Sequence, residues 1–246
     1  MRYLILSDIH ANWEALDAVL AHAGDAYDRI LCCGDLVGYG ADPNAVVEWV
    51  RAKVARVVRG NHDKACSGLE DLEWFNPIAR ASAEWTLKIL SPDNADYLRR
   101  LPKGPAAVNG FDIAHGSPLD EDEYLITVND VAQVRPYVET PLIFFGHTHL
   151  QGGFFLHRNG VRRIEPPYLP FDDVTLALEP DAMYLINPGS VGQPRDGDPR
   201  AAYAIYAPRE RLVSYRRVAY DIGAAQEKIV RAGLPDLLAG RLATGS

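Results

Sequence analysis

Five of the chain's seven histidines directly follow, or lie within four residues of, short apolar runs, beside a carboxylate, an amide or a glycine. Tyr3 to Leu6 leads into Ser7-Asp8-Ile9-His10, and Ile30 to Cys33 into Gly34-Asp35. Val54 to Val58 leads into Gly60-Asn61-His62-Asp63, Phe111 to Ala114 into His115-Gly116, and Leu142 to Phe145 into Gly146-His147-Thr148-His149. Only His22 and His157 lie elsewhere. Imidazole, carboxylate and amide oxygen together form a donor set suited to Mn, Fe, Zn, Co or Ni rather than Ca.

Each block alone has a plain structural reading. Asp8-x-His10 fits a capping aspartate at a strand end, and Gly34-Asp35 an ordinary turn. Asn61-His62-Asp63 fits a turn and helix cap, and His115 a hydrogen-bonded structural histidine. His147-x-His149 says more, because alternate residues of an extended segment point the same way and can chelate. All five blocks in one chain, each after an apolar run, weigh against the structural reading of any one of them.

The elements that must position these residues read as strand–helix–strand–helix–strand in the first part of the chain. That order implies parallel pairing with right-handed crossovers. In open α/β sheets ligands bind beyond the carboxyl ends of the strands, so the five blocks can converge on one edge. Between the first two strands, Asn12 to Ala23 carries Trp13, Leu16, Val19 and Leu20 at helical spacing, with Asn12 as N-cap. Asp42-Pro43 starts a second helix running to Arg51. Residues 67–105 form a helical insertion containing Trp74, Phe75 and Trp85. Beyond it, Phe154 to His157, Arg162 to Ile164, Met183 to Ile186, Ala202 to Tyr206 and Leu212 to Val218 read as mostly antiparallel strands, with Asn159-Gly160 as a hairpin signal. Residues 221–246 form a tail, helical at first and then frayed. The whole reads as one domain over residues 1–246.

Composition narrows the function classes. The chain has 246 residues, 48% hydrophobic and 24% charged, enough for one α/β domain with a sizeable core. A net charge of −8 speaks against nucleic acid as a partner. Three cysteines, Cys32, Cys33 and Cys66, make a poor disulfide framework and fit reduced thiols. No apolar stretch reaches the ~20 residues of a membrane helix. The expectation is a cytoplasmic protein without a membrane partner; an oligomer is left open.

Taken in order, Asp8-Ile9-His10, Gly34-Asp35, Gly60-Asn61-His62-Asp63, His115 and Gly146-His147-Thr148-His149 resemble the blocks of the calcineurin-like metallophosphoesterases. Asn187-Pro188-Gly189-Ser190-Val191-Gly192-Gln193-Pro194-Arg195 is similar to the N-P-G-S loop of their small prokaryotic phosphodiesterase branch. The resemblance implies a four-layer αββα sandwich of two mixed sheets. It implies two divalent metal ions, one on Asp8, His10, Asp35 and His149, the other on Asp35, Asn61, His115 and His147, with Asp35 bridging. It implies His62 as the catalytic histidine, oriented by Asp63. The protein Ser/Thr phosphatase branch carries a phosphate-binding arginine in G-D-x-V-D-R-G; Gly34-Asp35-Leu36-Val37-Gly38-Tyr39-Gly40 lacks it, which argues against a protein substrate.

The chemistry expected from that set is phosphoester hydrolysis. A pair of divalent ions lowers the pKa of water to about 7, and a bridging hydroxide attacks phosphorus. Two such ions outweigh Asp8 and Asp35, so an anionic small phosphoester can bind despite the acidic chain. His62 would protonate or stabilise the leaving alkoxide. Arg195 is a candidate phosphate contact, and Asn12 is another, beside its capping role. Trp74, Phe75 and Trp85 either wall the site or pack the insertion's own core, with packing the expected outcome. Asp120-Glu121-Asp122-Glu123 is expected to be a solvated loop. A different class of reading is a metal-bound interaction scaffold, as in the related retromer subunit, which has no need of His62 together with the full ligand set. The H-x-H-x-D-H motif of metallo-β-lactamases and the H-x-H of amidohydrolases fit the first strand poorly.

Overall fold

The computed structural model describes residues 1–164 and 173–246. The first five elements alternate: β1 (Tyr3–Leu6), α1 (Trp13–Ala23), β2 (Arg29–Cys32), α2 (Pro43–Lys53) and β3 (Arg56–Val57). Helix α3 (Asn61–Cys66) follows, and the insertion after it holds α4 (Pro77–Ile89) and α5 (Pro92–Arg99). Next come β4 (Ala106–Ala107), β5 (Asp112–Ile113), α6 (Val128–Val134), β6 (Leu142–Phe144), β7 (Gly152–His157) and β8 (Gly160–Ile164). The chain ends with β9 (Asp173–Ala177), β10 (Met183–Asn187), β11 (Ala201–Ala207), β12 (Leu212–Val218), α7 (Ile222–Arg231) and α8 (Asp236–Thr244).

Two mixed six-stranded sheets result, in the orders β3-β2-β1-β11-β12-β9 and β4-β5-β6-β10-β7-β8. The pairs β1–β2 and β2–β3 are parallel, as the strand–helix–strand order requires. Most of the later pairings are antiparallel, although β10 runs parallel to β6. Period-two alternation sorts the side chains. Leu4 and Leu6 face α1 and α2 and meet Leu16, Val19 and Val47, while Tyr3 and Ile5 face the second sheet and meet Phe144 and Ile186. A third layer, with Val131 and Val134 of α6 against Ile143, Phe145 and Leu185, covers the outside of the second sheet. These three apolar layers make the helix–sheet–sheet–helix stack.

The local signals work where they are strong. Asn12 caps α1 by accepting from the Ala15 N–H at 3.1 Å. Asp42 precedes Pro43 at the start of α2 but makes no side-chain cap bond, and its carboxylate takes Lys228 at 2.7 Å instead. The segment after residue 221 is not frayed. α7 and α8 pack as a pair, with Ile229, Leu234, Leu238 and Leu242 closing a fourth cluster over Tyr39, Ala79 and Trp85. Among the described residues, no helix is long and apolar enough to cross a membrane. Cys32, Cys33 and Cys66 are free and buried.

Candidate metal centre

The loops leaving β1, β2, β6 and the loop after β5 meet at one edge between the two sheets, together with the start of α3. Asp8, His10, Asp35 and His149 place one donor atom each within 4.8 Å of one another, and so do Asp35, His115 and His147. All six are buried, and Asp35 belongs to both groups. The backbone is bent to achieve this. Eight described non-glycine residues have positive φ, and five of them are Asp8, His10, Asp35, His147 and His149, with Tyr39 and Ala11 beside them. Left-handed backbone at such residues costs roughly 1–3 kcal/mol each, so the surrounding structure must hold them there. Much of that hold comes from Asn187-Pro188-Gly189-Ser190-Val191-Gly192-Gln193. Asn187 Nδ2 donates to the Gly146 carbonyl, Ser190 Oγ to the Asp8 carbonyl, and the Gly192 N–H to the same carbonyl.

Each histidine of the cluster has one ring nitrogen tied to a backbone carbonyl. His10 Nδ1 pairs with Val37 O at 3.0 Å, His115 Nδ1 with Cys33 O at 2.8 Å, His149 Nδ1 with Gln193 O at 2.6 Å, and His147 Nε2 with Asp122 O at 3.1 Å. The carbonyl takes a ring N–H, which leaves a lone pair on the other nitrogen of a neutral ring. The consequence is plainest at His10 and His149, whose Nε2 atoms face each other at 3.0 Å. Burial pushes both imidazoles well below their ordinary pKa, with nearby Arg195 adding to the effect, so no proton sits between them. Two facing lone pairs repel; a cation between them makes the geometry favourable. His115 Nε2 lies 3.2 Å from the Asn61 side-chain oxygen and 3.4 Å from Asp35 Oδ2, and Asp8 Oδ2 is buried without a partner. The donors therefore fit divalent metal.

The carboxylates tell the same story. Burial pushes Asp8 up to about 7, with the charge of Asp35 adding to it. Burial would raise Asp35 too, but His115 and His62 pull it well below the usual range. Burial opposes a charge on His115, yet Asp35 and Asp8 push it up to about 10. Burial and the charge on His115 lower His147 to about 3, which keeps its free nitrogen a donor to metal.

The family model described as the calcineurin-like phosphoesterase superfamily domain matches residues 1–211. The chain is a calcineurin-like phosphoesterase. It is 37% identical to an uncharacterised protein of Methanocaldococcus jannaschii, over 98% of this chain and 97% of that one. It is 41% identical to a metallophosphoesterase from Sphaerobacter thermophilus, whose crystal structure it matches with a TM-score of 0.86 over 100% of this chain and 99% of that one. A hypothetical protein from Pyrococcus horikoshii OT3 shares the fold at 19% identity, with a TM-score of 0.78 over 100% of this chain and 98% of the other. Membership makes this phosphoesterase a metal-dependent hydrolase of phosphoric esters.

His62 lies against the cluster. Its ring sits 5.0 Å from that of His10, 4.3 Å from Tyr39 and 5.5 Å from Phe75, and the His62 backbone N–H donates to Asp35 Oδ1 at 2.9 Å. Burial and the charges of Arg195 and His115 lower it to about 4, against the pull of Asp35. Asp63 does not orient it. The Asp63 carboxylate accepts from the backbone N–H groups of Leu36, Val37 and Gly60, and His62 Nδ1 has no partner. A carboxylate with three backbone donors is already satisfied, so Asp63 pins the Asp35 loop to the start of α3. What holds the His62 ring is packing, including Gly38, where a Cβ would come within 2.5 Å of Nδ1.

Other expected residues divide. Arg195 reaches the site: its N–H donates to the His149 carbonyl at 3.3 Å and its Nη2 to the Tyr39 hydroxyl at 3.3 Å. Asn12 spends its amide on Gly192 O and the Tyr220 hydroxyl besides its cap, which leaves no donor for phosphate. Of the insertion's aromatics, Phe75 touches His62, Trp85 packs with α7 and α8, and the side chain of Trp74 falls outside the described residues. The stretch Asp120-Glu121-Asp122-Glu123 is not a simple solvated loop. Glu121 is 5% exposed and pairs with Arg59 at 2.7 Å, and Lys64 reaches Asp122 at 2.5 Å. These pairs fix the segment whose Asp122 carbonyl holds His147. Tyr39 and Tyr124 carried no sequence signal, since a lone tyrosine in a loop is indistinguishable from any other; Tyr124 lies 3.8 Å over the His147 ring.

Proposed function

We propose that this phosphoesterase binds two divalent metal ions and acts as a phosphodiesterase on nucleotide-like or other small phosphoesters. Asp8, His10, Asp35 and His149 would hold one ion, and Asp35, Asn61, His115 and His147 the other. The observation that carries the reading is the 3.0 Å approach of the His10 and His149 Nε2 atoms, each ring tied by its Nδ1 to a backbone carbonyl, with Asp35 shared by both donor groups. When bound, such a pair makes hydroxide available near neutral pH and polarises phosphoryl oxygens.

The chain's own residues do the rest. Arg195 takes phosphoryl oxygens, and its charge supplements the centre in an otherwise acidic chain. The His62 ring, packed against His10 and Tyr39, would stabilise the leaving oxygen through a ring N–H hydrogen bond, and would give it a proton only if the imidazolium form were populated with substrate bound. The backbone carbonyls of Val37, Cys33, Asp122 and Gln193 keep the four ligand imidazoles in one tautomer each. Val37 and the backbone of Leu36 are in turn fixed by Asp63.

The test is turnover of bis-p-nitrophenyl phosphate and p-nitrophenyl phosphate by purified protein loaded with Mn²⁺, beside His62→Ala. The reading expects cleavage, faster on the diester, and a loss of about 10²–10⁴ in kcat at unchanged metal content in the variant. Undiminished turnover in His62→Ala removes that residue from its role, and failure of the wild type on every phosphoester favours a scaffold.

A further inference from the structure

Among the described residues, Arg195 is a cation without a counter-ion: its side chain meets the Tyr39 hydroxyl at 3.3 Å and the Gln193 side-chain oxygen at 3.2 Å, its Nε is buried with no partner, and no carboxylate pairs with it. Both contacts are neutral acceptors. The Arg195 backbone N–H donates to the His149 carbonyl at 3.3 Å, which places the residue beside the ligand cluster.

Tyr39 is itself held firmly. It sits at φ +64 and its N–H donates to Ser82 Oγ of α4 at 2.6 Å. Its ring is 6% exposed and wedged 4.6 Å from the His10 ring and 4.3 Å from that of His62. The Arg195 guanidinium carbon lies 5.7 Å from the centre of that ring. One aromatic side chain thus touches a candidate ligand, the candidate acid and the arginine, and it is anchored by the helical insertion. Tyr124 approaches Arg195 from the segment over His147.

We propose that Tyr39 is a positioning residue that holds the Arg195 guanidinium beside the Asp/His cluster, free of any carboxylate, so that it clamps the phosphoryl oxygens of the substrate. The inference rests on the phosphoesterase reading and adds to it the device that aims the arginine. Its function does not depend on Tyr39 touching substrate. The insertion acquires a role through it: Ser82 sets the Tyr39 backbone, and Tyr39 sets Arg195.

The experiment uses the metal-loaded full chain with inorganic phosphate as the probe, measured by titration calorimetry, and kcat and KM on bis-p-nitrophenyl phosphate. Tyr39→Phe keeps the ring and removes the hydroxyl; Arg195→Ala removes the clamp; the double variant tests their dependence. Tyr39→Phe is expected to weaken phosphate binding about tenfold, the loss of one hydrogen bond to a charged group, and to act on KM more than on kcat. In the Arg195→Ala background the same change is expected to have no further effect on phosphate, with metal content and melting temperature as controls of folding. Wild-type phosphate affinity in Tyr39→Phe overturns the proposal, as does a full additional loss in the double variant, which would mark a general structural role. Calorimetry needs no turnover, so a chain that cleaved no ester would still test the clamp, and wild-type protein that bound no phosphate would overturn it. Conversely, turnover with an unaffected Tyr39→Phe overturns the role of Tyr39 and leaves the hydrolase standing.

Discussion

Gly60→Ala is a one-carbon change that strikes the centre of the site. Gly60 caps α3 immediately beside Asp35, and a Cβ there would overlap the Asp35 N and Oδ1 and come within 2.7 Å of its Cγ. Carbon atoms settle at about 3.5–4.0 Å, so the Asp35 side chain must retreat by roughly 1 Å. A displacement of that size costs about 10²-fold in rate, and overpacking costs about 1–3 kcal/mol in stability. For a chain of 246 residues, 1 kcal/mol moves the melting temperature by about 2–4 °C, so a fall of roughly 2–12 °C is expected. Gly240 in α8 is the control. It is exposed, helical and has nothing within 4 Å of a built Cβ, so Gly240→Ala should gain about 1 kcal/mol from helix propensity and leave metal content unchanged. The assay is metal content by mass spectrometry, thermal melting and phosphoesterase rate on both variants. Full metal loading and wild-type rate in Gly60→Ala would refute the claim that Asp35 is held in register by contact with Gly60.

Removing metal should destabilise the fold. At a thousandfold excess of metal over its Kd the bound state gains about 4.1 kcal/mol, so chelation should lower melting by roughly 8–16 °C; Mn²⁺ should restore it and Ca²⁺ should not, and identical melts with and without chelator would contradict metal binding. Acid stability has a second source away from the site. Burial alone would raise the Asp198 carboxyl, but Arg200 and Arg217 pull it below its ordinary value. The unfolded chain then binds the proton more tightly, so this stabilisation is present above about pH 4 and is lost as pH falls through the folded value. Metal-free Asp198→Asn should be less stable than wild type at pH 7 and converge on it toward pH 3, as read by urea unfolding; a constant gap across that range would contradict the assignment.

The sandwich was legible because its strongest cues are local: apolar strands of period two, Asn12 as a cap, and ligand-type residues placed just after the strands. Elements with weak patterns escaped. β4 has two residues, β9 is an edge strand with no fully buried residue, and α6 buries only Val131 and Val134. The order at the end of the chain is not legible in sequence because its apolar residues are spent on α7–α8 and the insertion, contacts that no local window contains. At the site, residue types announced Asp8, His10, Asp35, Asn61, His115, His147 and His149, but side-chain direction was invisible. Asp63 follows His62 in sequence yet turns toward the backbone of Leu36, Val37 and Gly60. The acidic run after His115 looked solvated because Arg59 and Lys64, its partners, lie some sixty residues earlier.

The central claim is that two ions share Asp35. The most direct test is a crystal of Mn²⁺-loaded protein with anomalous diffraction measured at the manganese edge. Two peaks are expected, one among Asp8, His10, Asp35 and His149 and one among Asp35, Asn61, His115 and His147. A single peak, or peaks away from Asp35, would contradict it.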